Sequence, residues 1–435
     1  MAKRLDKEIL ALAWPAIATN ITTPLLSLVD VAIVGHIGSA AYIGAVAVGG
    51  TMLNMLFWLF GFLRAGTSGF TAQAYGRGDR GEQVRTLVRA LVVALVSGVI
   101  LIGLSGSVGD AVLAFMDADG STEELARSYF EVAIWGAPGL LATFALSGWF
   151  LGMQDSRPAM WMALMANTTN ILLSVIFVFG AGMDIRGVGL GTAVAQWISP
   201  AIGFAMLRRR LRGKTSSGWQ HGFWRGSAWL NLFKVNTDIV LRTVCLIAVT
   251  LWFTHSGAVS GDVVLAANSL LMQLFMLFSY FMDGFAYAGE ALAGRFSGEA
   301  DIQSLRRMVR TLLRWGVMLA LLTALIYFVC GELLLKLLTK DLNVIKTATA
   351  YKYWAVAVPL AGFMSFLWDG IYIGLTRTRQ MLLTMIIAMF VFYTAYFLTY
   401  PVLGNDGLWL AFILYLLTRG LMQHMLFIRS VLRAH

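Results

Sequence analysis

Residues 9–34 read I-L-A-L-A-W-P-A-I-A-T-N-I-T-T-P-L-L-S-L-V-D-V-A-I-V, and this stretch decides the class of fold. It is longer than the roughly 20 apolar residues that cross a bilayer as a helix. It also contains Pro15, Pro24 and Asp30. Each proline removes a backbone donor and favours a bend, and a carboxylate at membrane depth costs at least about 2.5 kcal/mol. The stretch therefore predicts a bendable membrane helix that carries one functional titratable group.

The composition of the whole chain indicates an integral membrane protein. Of 435 residues, 58% are hydrophobic and only 13% are charged, and the mean hydropathy is +0.74. A bundle of membrane helices requires such apolar surface, whereas a soluble core does not use it. The net charge of +10 arises from basic residues between the apolar runs, so it indicates membrane orientation rather than nucleic-acid binding. Cys245 and Cys330 lie inside apolar runs, which argues against a disulfide framework or a cysteine-bound metal site.

Twelve apolar spans are predicted, the first of them an uncleaved helix. Positive charges concentrate in alternate connections, such as those around Arg77 and Arg208, so both termini are expected to be cytoplasmic. We expect the protein to lie in a bacterial cytoplasmic (inner) membrane. The spans cover approximately residues 9–35, 43–72, 86–108, 124–152, 158–181, 187–208, 234–256, 263–292, 307–331, 346–374, 381–402 and 407–430.

The sequence divides into two related halves. Residues 1–208 and 233–435 each hold six spans, and the Gly-, Ser- and Arg-rich stretch 209–232 is predicted to link them on the cytoplasmic side. At an offset of 222, residues 69–79 match 291–301 and residues 151–157 match 373–379; residues 189–193 match 407–411 at an offset of 218. A parallel repeat of this kind predicts two pseudo-symmetric six-helix lobes around a central cleft.

Four motifs resemble those of a known family. They are L-V-D-V-A-I-V-G-H-I-G (28–38), G-F-T-A-Q-A-Y-G-R-G-D (69–79), M-D-G-F-A-Y-A-G-E (282–290) and D-G-I-Y-I-G-L-T-R (369–377). Together they resemble the multidrug and toxic compound extrusion (MATE) transporters, specifically the DinF-like branch. The resemblance implies a V-shaped pair of six-helix lobes. It also implies export of organic, often cationic or amphipathic, compounds driven by inward H⁺ or Na⁺.

The resemblance also implies a coupling site in the first half. Asp30 follows Pro15 at the spacing of the family's helix-1 carboxylate, and Asn170 and Thr192 match its neutral partners. Ser174 stands where many relatives have a second acid, which disfavours a tight Na⁺ site and suits a proton carrier. Protonation of Asp30 is then expected to bend helix 1 and release substrate. The structural alternative is an ion pair between Asp30 and a buried Arg64.

The second half has its own charges at membrane depth. Asp283, Tyr287 and Glu290 share one helix face and, with Asp369, form a possible cation or substrate site; the alternative is an ion-pair network with arginines. Asp238 and Arg242 are four residues apart, so a helical salt bridge is expected. Arg64, Asp238, Arg242 and Arg419 are predicted as buried counter-ions.

Two short stretches resemble nucleotide-binding motifs of soluble enzymes but lack the sequence context that such motifs require. Residues 76–81 fit G-x-G-x-x-G but follow a membrane helix instead of a strand, and Gly213-Lys-Thr lacks the upstream glycine of a P-loop. We therefore expect no catalytic residues, cofactor, metal, ATP or nucleic acid. The expected partners are small organic molecules, H⁺ or Na⁺, and the bilayer, with a functional monomer. Three alternatives stay open: Na⁺ coupling through the second-half acids, a lipid or lipid-linked-sugar flippase, and a membrane-embedded enzyme.

Overall fold

The computed structural model describes residues 2–36, 40–116, 120–211 and 223–432, and every regular element in these ranges is helical. Short 3₁₀ turns at Leu59–Gly61 and Ile134–Gly136 join α2 to α3 and α6 to α7, and a π-helical turn at Ile176–Gly180 extends α8. In chain order the α-helices are α1 (Ala2–Gly35), α2 (Ala40–Trp58), α3 (Phe62–Gly76), α4 (Arg80–Gly103), α5 (Ser105–Met116), α6 (Gly120–Ala133), α7 (Ala137–Gly152), α8 (Arg157–Val175), α9 (Asp184–Leu211), α10 (Gly226–Val259), α11 (Asp262–Gly298), α12 (Ile302–Leu338), α13 (Leu342–Ala350), α14 (Lys352–Gly374), α15 (Thr378–Leu403) and α16 (Asn405–Leu432).

Most of these helices are long enough to cross a membrane. Within the described ranges, eleven helical segments combine sufficient length with high hydropathy, and α1 is a further helix of 34 residues with Pro15 and Pro24 inside it. The predicted all-α membrane class is thus confirmed. Several helices exceed the predicted spans, as α12 does by running from Ile302 to Leu338, because helical hydrogen bonding continues into polar residues beyond the apolar window.

The chain forms two compact units, and α1 contributes to both. The N-unit is Trp14–Leu232, and the C-unit combines Met1–Ala13 with Phe233–His435. In the C-unit, Trp315 Nε1 donates to Asp6 at 3.0 Å and Arg295 donates to Glu8 at 3.0 Å. These contacts make the first turns of α1 part of the C-unit.

The predicted linker at 209–232 lies partly outside the described residues, which omit 212–222. Before that gap α9 continues to Leu211, and after it a turn at Phe223 and Trp224 precedes the start of α10 at Gly226.

Each unit has an apolar core rich in small and aromatic residues. The N-unit buries Phe130, Leu141 and Trp149, with many alanines between them. In the C-unit, Phe253 packs against Trp409 and Phe412, with ring centroids 4.9 and 5.4 Å apart. Small residues let the helix backbones approach closely, as packing in membranes favours.

The two halves repeat the same backbone details at the offset of 222. Gly78 and Ala300 both adopt a positive φ, of 69° and 55°. Asp79 and Asp301 follow them as N-caps of α4 and α12. Each aspartate accepts from the backbone N–H three residues further on at 2.9 Å. The shared turn and cap support the sequence repeat with independent geometry.

Helix packing follows the same offset. A Cβ added to Gly148 would overlap the carbonyl oxygen of Arg64, and one added to Gly370 would overlap that of Ala286. Only glycine permits these close approaches, of α7 to α3 and of α14 to α11. The repeat is therefore built into the internal packing of each unit.

The last match of the repeat needs a correction. Gly187 packs against the backbone of Phe177, and Gly407 packs against that of Thr399. These contacts make Gly187 and Gly407 equivalent, at an offset of 220 rather than the predicted 218. The sequence alone favours matching Gly189 with Gly407, because each of these two glycines is followed by a leucine.

Candidate functional site

Asp30 is a buried carboxyl group on α1. It is 8% exposed, and its Oδ1 atom has no hydrogen-bond partner in the part of the chain that the structure describes. No ion pair joins it to Arg64 or to another described residue, which contradicts the structural alternative raised from the sequence. Arg64 is half-buried on α3 and makes other interactions. Asp30 is thus a buried acid without a counter-ion among these residues.

The predicted neutral partners come together between α8 and α9. Asn170 Nδ2 donates to Thr192 Oγ1 at 2.9 Å, and Ser174 Oγ donates to Asn170 Oδ1 at 3.4 Å. The helices can approach here because of Gly191, where a Cβ would lie 2.6 Å from Ser174 Oγ. Asn170 and Ser174 are almost fully buried. We call Asn170, Ser174 and Thr192 the polar cluster.

Tyr129 on α6 was not identified from the sequence, yet it relates Asp30 to the polar cluster. Its phenol lies next to the Thr192 side chain and within electrostatic range of the Asp30 carboxylate. Gly189 allows this packing, since a Cβ there would lie 2.9 Å from the Tyr129 carbonyl oxygen. A tyrosine in an apolar helix is too common to indicate a functional site. The glycines at 189 and 191 of α9 could have indicated that other helices pack closely against α9 at this point.

The proline-containing part of α1 is supported by hydroxyl groups. Thr19 Oγ1 donates to the Pro15 carbonyl at 2.9 Å, and Thr22 Oγ1 donates to the Thr19 carbonyl at 2.8 Å. From α8, Asn167 Nδ2 donates to the Thr22 carbonyl at 3.4 Å. These side-chain bonds go to the carbonyls of Pro15, Thr19 and Thr22, next to the carbonyls of Ala11 and Asn20 that lose a helical N–H donor to the two prolines. The helix continues through Pro15 and Pro24.

In the C-unit, Asp369 on α14 is the centre of a buried ion network. Arg242 of α10 and Arg419 of α16 both donate to its Oδ2 atom, the latter at 3.0 Å. Gln423 Nε2 donates to its Oδ1 atom at 2.8 Å. Two guanidinium groups compensate this carboxylate, which argues against a cation-binding role for it.

The expected salt bridge between Asp238 and Arg242 is wrong. Arg242 turns instead to Asp369, while Asp238 accepts from Thr378 Oγ1 at 3.0 Å and lies 3.6 Å from Arg379. The physical reason is burial: a helical pair four residues apart contributes only about 0.2–0.5 kcal/mol, whereas a buried carboxylate without a cation costs several kcal/mol. Arg242 and Arg419 do act as buried or half-buried counter-ions, both of them to Asp369.

The acidic face of α11 is present but engaged. Asp283 is half-buried, accepts a hydrogen bond from Ser279 Oγ at 3.4 Å and interacts electrostatically with Arg419. Tyr287 is half-buried and Glu290 is fully buried, and neither is without an interaction partner. Through Asp283, this face lies within electrostatic range of Arg419, one of the two arginines that hold Asp369.

The model of the MatE family matches residues 15–176 and 238–397 of this chain. DNA damage-inducible protein F of Escherichia coli (strain K12) is 38% identical over 417 residues, which cover 96% of this chain and 90% of that protein. The probable multidrug resistance protein NorM of Thermotoga maritima is 25% identical over 446 aligned residues, with coverage of 98% and 92%.

Solved structures show the same fold at low sequence identity. The MATE transporter VcmN of Vibrio cholerae, in its bent form, matches with a TM-score of 0.87 and 18% identity, covering 100% of this chain and 98% of that one. A MOP superfamily transporter from Pyrococcus furiosus matches with a TM-score of 0.84 and 18% identity, covering 98% and 96%.

Proposed function

This chain belongs to the MatE family of membrane transporters, and we propose that it exports organic, often cationic or amphipathic, compounds in exchange for H⁺. The observation that carries the proton coupling is the buried carboxyl group of Asp30, whose Oδ1 atom has no hydrogen-bond partner among the described residues, on a helix with two internal prolines. Relatives of this chain include proteins named for multidrug resistance, which supports the substrate class.

The chemistry around Asp30 favours a proton over Na⁺. Desolvation penalises an ionised carboxylate that has no partner, so a bound proton removes that penalty. Hard cations favour several charged oxygens, whereas the polar cluster offers only amide and hydroxyl oxygens. In the C-unit, Asp369 is already compensated by two arginines.

The coupling follows from the two charge states of Asp30. Ionised Asp30 needs water or donors, while protonated Asp30 becomes a donor that seeks an acceptor. Tyr129 and Thr192 offer hydroxyl groups for either state. A change of partner moves α1, and Pro15 and Pro24 make that helix easier to bend. Substrate release is then linked to proton uptake because both depend on the position of α1.

The first experiment measures ethidium export in proteoliposomes under an imposed pH gradient or an imposed Na⁺ gradient. We expect the pH gradient to drive export by the wild type and Asp30→Asn to abolish it, because asparagine cannot exchange a proton. The matched control is Asp184→Asn, which changes an exposed aspartate of the same unit. Proton coupling through Asp30 would be refuted if Asp30→Asn exported ethidium at the wild-type rate under the pH gradient. It would also be refuted if only the Na⁺ gradient drove export.

We also infer the location and arrangement of the protein. Basic residues in alternate connections support cytoplasmic termini in a bacterial inner membrane, and each unit is complete within one chain, which supports a functional monomer. Labelling of single cysteines with a membrane-impermeant maleimide tests the orientation. A cysteine near the C-terminus that reacts from the periplasmic side of intact cells would reverse this assignment.

A further inference from the structure

A basic pocket lies in the C-unit, between the first turns of α1, the end of α11 and the start of α12. Its volume is about 530 Å³. Five arginines line it, and one carboxylate, Glu8, is among its lining residues. The arginines are Arg4, Arg295, Arg307, Arg310 and Arg314.

The positive charge of the Arg-rich pocket is only partly compensated. Glu8 is shared, because it accepts from Arg4 at 3.2 Å and from Arg295 at 3.0 Å. Arg310 and Arg314 are exposed and make no ion pair or hydrogen bond with a residue that the structure describes. Two guanidinium groups on one helix face are therefore available to an anion from outside the chain.

The arginines continue directly into an apolar face of the same helix. Arg307, Arg310 and Arg314 recur at helical spacing, and the same exposed line of α12 goes on through Val317, Leu321, Leu325 and Phe328. Residues three and four apart lie on one face of a helix. A ligand with a charged head and long apolar chains would satisfy both parts of this face, whereas a free anion would use only one.

We propose that the Arg-rich pocket binds the phosphate-bearing headgroup of an anionic phospholipid, whose acyl chains lie along the apolar face of α12. Guanidinium groups bind phosphate oxygens in bidentate geometry, and basic pockets between membrane helices hold anionic headgroups. The basic residues near this end of α12 favour the cytoplasmic side of the membrane. The site lies away from Asp30 in the chain and does not depend on the coupling ion.

The test titrates the purified full-length protein in non-ionic detergent with dioleoylphosphatidylglycerol, and bound lipid is counted by native mass spectrometry. We expect Arg310→Gln/Arg314→Gln to weaken binding about 25-fold, since each arginine near a charged lipid contributes a factor of about 5. The matched control, Arg208→Gln/Arg209→Gln, removes two exposed arginines from the end of α9 and is expected to bind as the wild type does. Arg310→Lys/Arg314→Lys retains the charge and is expected to recover most of the binding.

Two further measurements separate the lipid from other ligands. Glu8→Gln is expected to tighten lipid binding, because it removes the only carboxylate among the described residues that line the pocket. Equal loss of affinity in the two double glutamine variants would overturn the proposal. So would equal binding of dioleoylphosphatidylcholine, or inorganic phosphate competing at the concentration of the lipid. The latter result would assign the pocket to a free anion.

Discussion

Gly191 sets the geometry of the polar cluster through the side chain that it lacks. A Cβ at this position would lie 2.6 Å from Ser174 Oγ and 2.9 Å from the Ser174 backbone nitrogen. Since backbone atoms cannot yield as a flexible side chain does, a larger residue must push α9 away from α8. The hydrogen bond from Asn170 to Thr192 would lengthen as a result.

The corresponding prediction is that Gly191→Ala lowers the free energy of unfolding by about 1–3 kcal/mol, the usual cost of overpacking. Gly50→Ala is the control, because nothing lies within 4 Å of the added atom. Alanine in a helix interior there should stabilise by roughly 0.5–1 kcal/mol. Thermal unfolding in detergent measures both variants, and a stabilised Gly191→Ala would show that the two helices do not pack this closely.

Asp369, like Gly191, is a residue whose substitution is expected to lower the free energy of unfolding by a predictable amount. Asp369→Asn leaves Arg242 and Arg419 without their shared carboxylate, so we expect a loss of about 3–5 kcal/mol in the free energy of unfolding. Asp238→Asn is the matched control in the same unit. Its arginine partner, Arg379, has a side chain 77% exposed and can be solvated by water. If both variants lost the same free energy of unfolding, the ion network of Asp369 would contribute no more to stability than the contacts of Asp238.

At this scale the sequence predicted residue types better than partners. Asp30 was found because a charged group is conspicuous in an apolar span, and Asn170 and Thr192 through the resemblance to the MATE family. Tyr129 was not found, and Arg242 and Arg419 were predicted as counter-ions without a definite assignment to Asp369, because such contacts depend on how each helix is rotated about its axis. That rotation is determined by packing across the unit, which leaves no local pattern.

The helix ends at α4 and α12 are fixed by single aspartates. The side-chain hydroxyl of Ser304, and after it the Ser304 backbone N–H, hold the pKa of Asp301 below its usual value, because both stabilise the ionised cap. A carboxylate with a lowered pKa in the folded state contributes stability above the pKa of the unfolded chain. That contribution is lost as the pH falls through the folded pKa.

We therefore expect Asp301→Ala to lower stability by about 1 kcal/mol at pH 7, the typical worth of an N-cap. The difference from wild type should shrink in acid, where Asp301 is protonated. Asp301→Asn is the control, because asparagine caps a helix without titrating. Unfolding curves at several pH values measure the effect; a difference that stays constant with pH would exclude the charge of the cap as its cause.

These caps also explain why element boundaries were harder to predict than elements. Hydropathy located an apolar run at 307–331, but α12 begins at Ile302 because Asp301 caps it there. The turn before it requires a positive φ at Ala300, a conformation that alanine rarely signals. Gly78, its equivalent in the N-unit, indicates such a turn more clearly, because glycine commonly adopts a positive φ.

At the scale of the whole molecule, the first turns of α1 complete the C-unit. Deletion of residues 2–13 should expose the amides of residues 295–315, because Trp315 loses Asp6 and Arg295 loses Glu8. Hydrogen–deuterium exchange of the full chain measures this peptide by peptide. Asp6→Asn/Glu8→Gln is the control that removes the charges alone, and it should give a smaller increase in the same peptides. Unchanged exchange at 295–315 would show that these turns are not part of the unit.

The repeat made the two halves visible from the sequence, yet it could not reveal how α1 is divided. Matched turns and glycines are local features, so a fixed offset detects them. The bond between Glu8 and Arg295 joins residues 287 positions apart, and ion pairs at that separation have no signature in a single sequence.

This division of α1 has a consequence for the order of events during synthesis. Glu8 and Asp6 leave the ribosome well before their partners, since Arg295 and Trp315 follow them 287 and 309 residues later. At roughly 5–20 residues per second, translation separates the partners by about 15–60 s. Throughout that interval the first turns of α1 lack their final contacts, although the N-unit that follows them in the chain has already been translated. These contacts of the C-unit can form only after the residues up to Trp315 have been made.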